Sequence, residues 1–117
     1  MSETAEPIPK SWRAVVAAIL REGSPRKVFI RQRALQNWRD TFPDEFFDYT
    51  LREALANALD DDALEGKSYE MDEPGETYGF IVQHQARSLY AKINLTKPDK
   101  VVIVYSAHRP LHGEELT

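Results

Sequence analysis

The apolar residues of this chain change their spacing once, near Gly66, and that change limits what it can fold into. Before it, hydrophobic side chains recur every three or four positions. After it, they alternate. Trp12, Val15, Val16, Ile19 and Leu20 fall at i, i+3, i+4, i+7 and i+8, the stripe of an amphipathic helix. Ser11 is a candidate N-cap, and Gly23 followed by Pro25 a candidate stop. "RQRALQNWRD" puts Ala34, Leu35 and Trp38 on one helical face. "TFPDEFFDYTLREALANAL" reads as a third helix, with Thr41 and Asp44 as a capping box, Pro43 in the first turn, and Phe47, Leu51, Ala54, Leu55 and Ala58 as the buried stripe. Val28 to Ile30 reads as a short extended piece.

Beyond Gly66 the period is two. "KSYEM" and "TYGFIVQHQ" read as strands, and "SLYAKINL" as the next, with Leu89, Ala91, Ile93 and Leu95 on one side and Tyr90, Lys92 and Asn94 on the other. "TKPD" reads as a tight turn, and "KVVIVYSA" is apolar on both faces, as a central strand would be. Helices first and strands afterwards predict an α+β domain, with N-terminal helices packed on a three- to four-stranded antiparallel sheet. At 117 residues one core suffices, so the expected organisation is a flexible tail at 1–10, a single domain at 11–110 and a flexible tail at 111–117.

The charge is uneven. The net charge is −4, yet residues 10–40 hold eight basic and two acidic side chains, and residues 44–76 hold twelve acidic and two basic. A fold that joins the first and last thirds builds a positive face on a negative molecule. The chain has no cysteine, which removes disulfide and thiolate chemistry and fits a reducing cytoplasm. The longest apolar run, Ala14 to Leu20, is far shorter than the roughly 20 residues needed to span a bilayer. The opening "MSETAEPIP" does not read as a secretory signal.

Phosphate-binding glycine loops, nucleophile elbows and HExxH are missing. "DDDALE" lacks calcium-loop spacing and reads as a solvated turn, and His84, His108 and His112 are too far apart to claim a zinc site. What remains is a set of cationic, amide and phenolic groups on and near the strands: Lys67, Gln83, His84, Arg87, Tyr90, Lys92, Tyr105, His108 and Arg109. That mixture suits metal-free RNA cleavage, in which cations stabilise the charged phosphorane and a titratable side chain moves protons. Arg31 and Arg33, at a helix start, read as solubilising charges first and phosphate contacts second.

Taken in order, "VVAAILREG", "VFIRQRALQNW", "LEGKSYEM" and "SLYAKINLTKPDKVVIVYSAH" resemble the successive segments of the MqsR-like messenger-RNA interferases, toxins of bacterial toxin–antitoxin modules with a RelE-like fold. The ending "VVIVYSAHRP" also resembles a neighbouring group of small domains of the same general shape. The resemblance covers residues 12 to 108. It implies catalytic roles for Lys67, Tyr90 and Gln83, with His108 standing where the family has a late lysine. On the RNA-cleavage reading, the cations Arg31, Arg33, Arg87, Lys92 and Arg109 are the expected RNA contacts. The resemblance implies no metal or other cofactor, messenger RNA as substrate, on or off the ribosome, and a cognate antitoxin as partner. The residues alone leave a second expectation open, a non-catalytic protein- or RNA-binding module on the same scaffold, using the acidic stretch Asp60 to Glu76.

Overall fold

The computed structural model describes residues 5–45, 47–97 and 99–109. The Trp12 stripe forms α1 (Lys10–Glu22), which buries Trp12, Val16, Ala17 and Leu20. Gly23 closes it by donating its N–H to the Ile19 carbonyl at 3.0 Å, and the Arg52 side chain caps the Leu20 carbonyl at 2.8 Å. The segment β2 (Val28–Ile30) leads into α2 (Gln32–Thr41), whose Ala34 and Trp38 are buried. The next helix, α3 (Asp48–Leu59), buries Leu51, Ala54, Leu55, Ala56 and Leu59. Its start is later than the capping-box reading expects. Thr41 instead ends α2, because its hydroxyl donates to the Asn37 carbonyl one turn back at 2.9 Å. Phe47 consequently lies outside the buried stripe and is 62% exposed.

The strands β3 (Glu65–Tyr69), β4 (Gly75–His84), β5 (Arg87–Thr96) and β6 (Val102–His108) follow, each antiparallel to the one before. The expected three- to four-stranded antiparallel sheet, and with it the RelE-like arrangement, is corrected at both edges. The sheet has six strands in the order β1-β3-β4-β5-β6-β2, and it is mixed. Val28, Phe29 and Ile30 pair parallel with Val102, Ile103 and Val104. At the other edge β1 (Glu6–Pro7) pairs with Glu65 and Gly66, where a loose tail was expected, and the next residue, Ile8, enters the core at 3% exposure. Neither added strand is long enough to show a period. Pro7 has no N–H to give a second neighbour, which suits it to an edge. Residues 1–4, the expected tail 111–117, His112 and the Pro98 of the β5–β6 turn lie outside the described residues.

All three helices pack on one face of the sheet. Trp12 meets Tyr78 edge-on at 4.9 Å, and Trp38 lies against Phe42 and His84. Phe80, Val82, Leu89, Ala91, Ile93, Val102 and Val104 complete that core. One irregularity shapes the other face. Lys92 pairs with Ser106 while Ile93 pairs with Val104, so Tyr105 is the extra residue of a bulge.

The buried Arg13 fastens the N-terminal edge. Its guanidinium donates to the Ile8 carbonyl at 3.1 Å, to the Leu59 carbonyl at 2.9 Å and to Asp62 at 3.1 Å. Two of these acceptors are backbone groups, and Asp62 is 80% exposed. The ion pair is therefore the weak part and the carbonyl bonds the strong part. In urea denaturation Arg13→Ala should lower the unfolding free energy by about 3 kcal/mol. Asp62→Ala should lower it by only about 0.5 kcal/mol.

Candidate nucleic-acid interface

The face of the sheet opposite the helices carries the polar row of β5. Cross-strand pairing sets three ranks there: Thr77 beside Asn94, Gly79 beside Lys92, and Ile81 beside Tyr90, with β6 continuing them as Ile103, Ser106 and His108. Lys67 and Tyr69 of β3 extend the ranks from Gly79 and Thr77. Lys67, Gly79, Lys92 and Ser106 thus form one row across four strands.

This face is not an open solvated surface. Tyr90 is 1% exposed, and its hydroxyl donates to that of Tyr69 at 2.6 Å. Gly79 makes the contact possible, since a Cβ there would collide with the Tyr90 hydroxyl and stand 2.8 Å from the Tyr69 ring. Lys92 Nζ lies 4.3 Å from the Tyr69 ring centroid, a cation–π contact. Asn94 is fully buried and accepts from the Thr77 hydroxyl at 2.9 Å, while its Nδ2 has no partner.

The cover is the β3–β4 loop, residues 70–74. Glu73 reaches past β4 and β5 to β6, where its carboxylate accepts from the Tyr105 hydroxyl at 2.5 Å and from Arg31 Nη2 at 2.9 Å. Arg31 also lies over the Tyr105 ring at 5.2 Å. The Tyr105 phenol, Glu73's own backbone N–H and Arg31 hold the Glu73 carboxyl below its ordinary range. Burial, and then the Glu73 carboxylate, push the Tyr105 phenol from 10.0 up to about 12.

Next to this strap, β6 runs beyond the end of β2, and a cleft of about 650 Å³ opens between its free edge and α2. Arg33, Asn37, Asp40 and Thr41 line it from α2, and Tyr105, Ser106, His108 and Arg109 from β6 and the residue after it. The α2 residues follow the 3.6-residue period on the side away from Trp38. His108 Nδ1 lies 2.7 Å from the Arg109 carbonyl, so the neutral ring carries its proton on Nδ1 and its lone pair on Nε2. The ring also lies 5.7 Å from that of Tyr90.

Arg33, His108 and Arg109 therefore share one cleft. The other expected site residues are engaged elsewhere. Tyr90 is buried beneath Tyr69. Lys67 borders a small recess with Glu6, Pro7 and Pro9. Gln83 lies at the far end of β4, beside α3. Arg87 donates to the Thr41 carbonyl and lies 5.6 Å from the Phe42 ring, which makes it a clamp on the end of α2. Arg31 is held by Glu73, and Lys92 by Tyr69. His84 is bonded to Glu45 at 2.7 Å. In the acidic turn, Asp60 pairs with Arg21, Asp62 with Arg13, and Asp61 accepts from the Ala63 N–H.

Tyr69, Glu73, Asn37 and Asp40 escaped the sequence reading. Tyr69 shares the alternation of Lys67 and was legible as its neighbour on the same face. Glu73 lies between the stretches read as strands, within the acidic stretch Asp60 to Glu76, and nothing local indicates a contact 32 residues away.

No protein-family model, curated protein or solved structure matches this chain. Among the described residues no helix is long and apolar enough to cross a membrane.

The strap contact carries its own pH signature. Tyr105 supports the folded state as the neutral phenol, so its contribution is full below 10 and is lost as the pH rises toward about 12. Glu73 acts as the carboxylate, so its contribution is present above 4.5 and is lost as the pH falls through its depressed value. Besides the Tyr78 phenol, which burial also raises, an absorbance titration should show a late phenol step that disappears in Tyr105→Phe and moves toward 10 in Glu73→Gln. An unchanged late step in Glu73→Gln would refute the contact.

Proposed function

We propose that the protein binds RNA in the cleft between α2 and β6 and cleaves it without a metal, as a messenger-RNA endonuclease. The observation that carries this reading is the convergence of Arg33, Arg109 and His108 on one cleft. Two guanidiniums are suited to hold a phosphodiester and the extra charge of the phosphorane. His108 Nε2 takes the proton from the ribose 2′-hydroxyl as its oxygen attacks phosphorus. The bond to the 5′-oxygen breaks, and that oxygen takes a proton from water, leaving a 2′,3′-cyclic phosphate. The ordered resemblance to MqsR-like interferases supports messenger RNA as the substrate class, a cytoplasmic setting and an antitoxin partner.

The same geometry favours a second reading. Lys67 and Gln83 do not line the cleft, and Tyr90, though its ring lies beside that of His108, is buried with its hydroxyl on Tyr69, so the cleft has fewer proton-transfer groups than the resemblance implies. A module that binds RNA or a protein partner without cutting fits that shortfall.

The two readings separate in one assay. Purified protein, labelled single-stranded RNA and a chelator should give products with cyclic phosphate ends. His108→Ala should slow cleavage about 100-fold or more. Arg33→Ala should weaken binding and reduce its salt dependence by about one ion. Lys67→Ala should leave the rate near that of the wild type. Binding without products favours the non-catalytic module, and failure to bind RNA at all removes the RNA reading. Expression without an antitoxin should arrest growth if the toxin assignment is right.

A further inference from the structure

Beside the cleft, the protein holds one of its own carboxylates in a site built for an anion. Arg31 and Tyr105 each give one donor to a different oxygen of Glu73, Nη2 to Oε1 at 2.9 Å and Oη to Oε2 at 2.5 Å. The two donors are stacked, with the guanidinium 5.2 Å from the phenol ring, so their spacing is set by each other. The β6 bulge makes Tyr105 the extra residue there. A phosphodiester offers the same pair of anionic oxygens and the same single charge. Tyr105 also lines the RNA cleft, so the two sites share a wall.

The carboxylate arrives on a loop outside the strand ladder. The strap of residues 70–74 forms no strand, and exposed Asp72 precedes Glu73. Gly75 follows at φ +129°, a conformation that side chains rarely adopt, with the Leu95 backbone crowding the place of a Cβ. The fully buried Asn94, on the same face, has an amide nitrogen with no partner.

We propose that Arg31 and Tyr105 form a second phosphate subsite for the RNA strand, and that Glu73 occupies it as an internal competitor until the RNA backbone displaces it. This inference rests on the RNA reading of the cleft. The strap then weakens the binding of short RNA that reaches only the Arg33–Arg109 cleft. It favours strands long enough to place a second phosphate on Arg31.

The test is fluorescence anisotropy with a labelled single-stranded RNA oligonucleotide in chelator, across a salt series. Glu73→Gln keeps the side-chain shape and removes the charge. Asp72→Asn removes the same charge from the same loop without touching Arg31. Glu73→Gln should tighten binding roughly tenfold, the size of one charge-assisted contact recovered. It should also steepen the salt dependence by about one ion. Asp72→Asn should shift the affinity by less than about twofold, since an exposed charge is largely screened. Adding Arg31→Ala to Glu73→Gln should abolish the gain. Equal gains from Glu73→Gln and Asp72→Asn, or a gain that survives without Arg31, would overturn the subsite while leaving RNA binding intact. If neither the wild type nor Glu73→Gln binds RNA, the RNA reading and the subsite fall together. Binding by Glu73→Gln alone would be the strongest support.

Discussion

The fold depends most on a charge placed where charges are costly. Arg13 sits in the core side of α1 at 5% exposure and is held by the carbonyls of Ile8 and Leu59 and by Asp62. Those acceptors belong to three separate pieces of chain: the residue after β1, the last residue of α3, and the turn before β3. A hydrophobic residue at position 13 would pack on α3 but could not tie off these carbonyls. The guanidinium's several donors in a planar fork suit this work better than an ammonium would. The start of β3 is thereby fixed, and everything downstream on the second face inherits that position: Lys67, Tyr69 and the strap that follows.

The second face shows why alternation by itself leaves the use of a polar row open. The period of β5 identifies Leu89, Ala91, Ile93 and Leu95 as core, and they are. It says nothing about what covers the opposite side. Three local facts decide that. Gly79 has no side chain, so the Tyr90 ring reaches Tyr69. Tyr69 lies against Lys92. Glu73 reaches the bulged Tyr105, so the loop crosses the sheet. The row is consequently a second, smaller packing layer with polar contents, and the residues left to meet a ligand are displaced to the edge of β6.

Legibility followed the length over which a pattern repeats. Helix α1 carries five periodic apolar residues, and β4, β5 and β6 each alternate or stay apolar over seven or more, so their existence and type were clear from the sequence. The strands β1 and β2 have two and three residues, too few for a period. Their pairing is a tertiary outcome, and it turns an antiparallel sheet of four strands into a mixed sheet of six. The site divided in the same way. Arg33 and His108 were legible as candidates by chemistry, and their meeting required the α2–β6 packing. Tyr90 was legible as a strand residue, but its burial depends on a glycine one strand away. Arg87 was expected among the RNA contacts and is an anchor, because the end of α2 offers it a carbonyl.

The charge distribution acquires a mechanical meaning in this arrangement. The acidic middle third of the chain is not a separate surface set against a basic one. It supplies the partners that hold the basic groups: Asp60 for Arg21, Asp62 for Arg13, Glu73 for Arg31, Glu76 for Lys97. Arg33 and Arg109 line the cleft, where Asp40 is the acidic side chain in the lining and itself accepts from Gln36 at 2.9 Å. A chain of net charge −4 gains little from long-range attraction to a polyanion, since exposed charges beyond about 10 Å are screened at moderate salt. Affinity for a phosphodiester must then come from short-range contacts, made where internal carboxylates are absent or can be displaced. Arg31 is both close to the cleft wall, through Tyr105, and held by an internal carboxylate on a loop outside the sheet. If the cleft takes RNA as proposed, Arg31 is the point at which the protein's own charge pairing would set how strongly it is held.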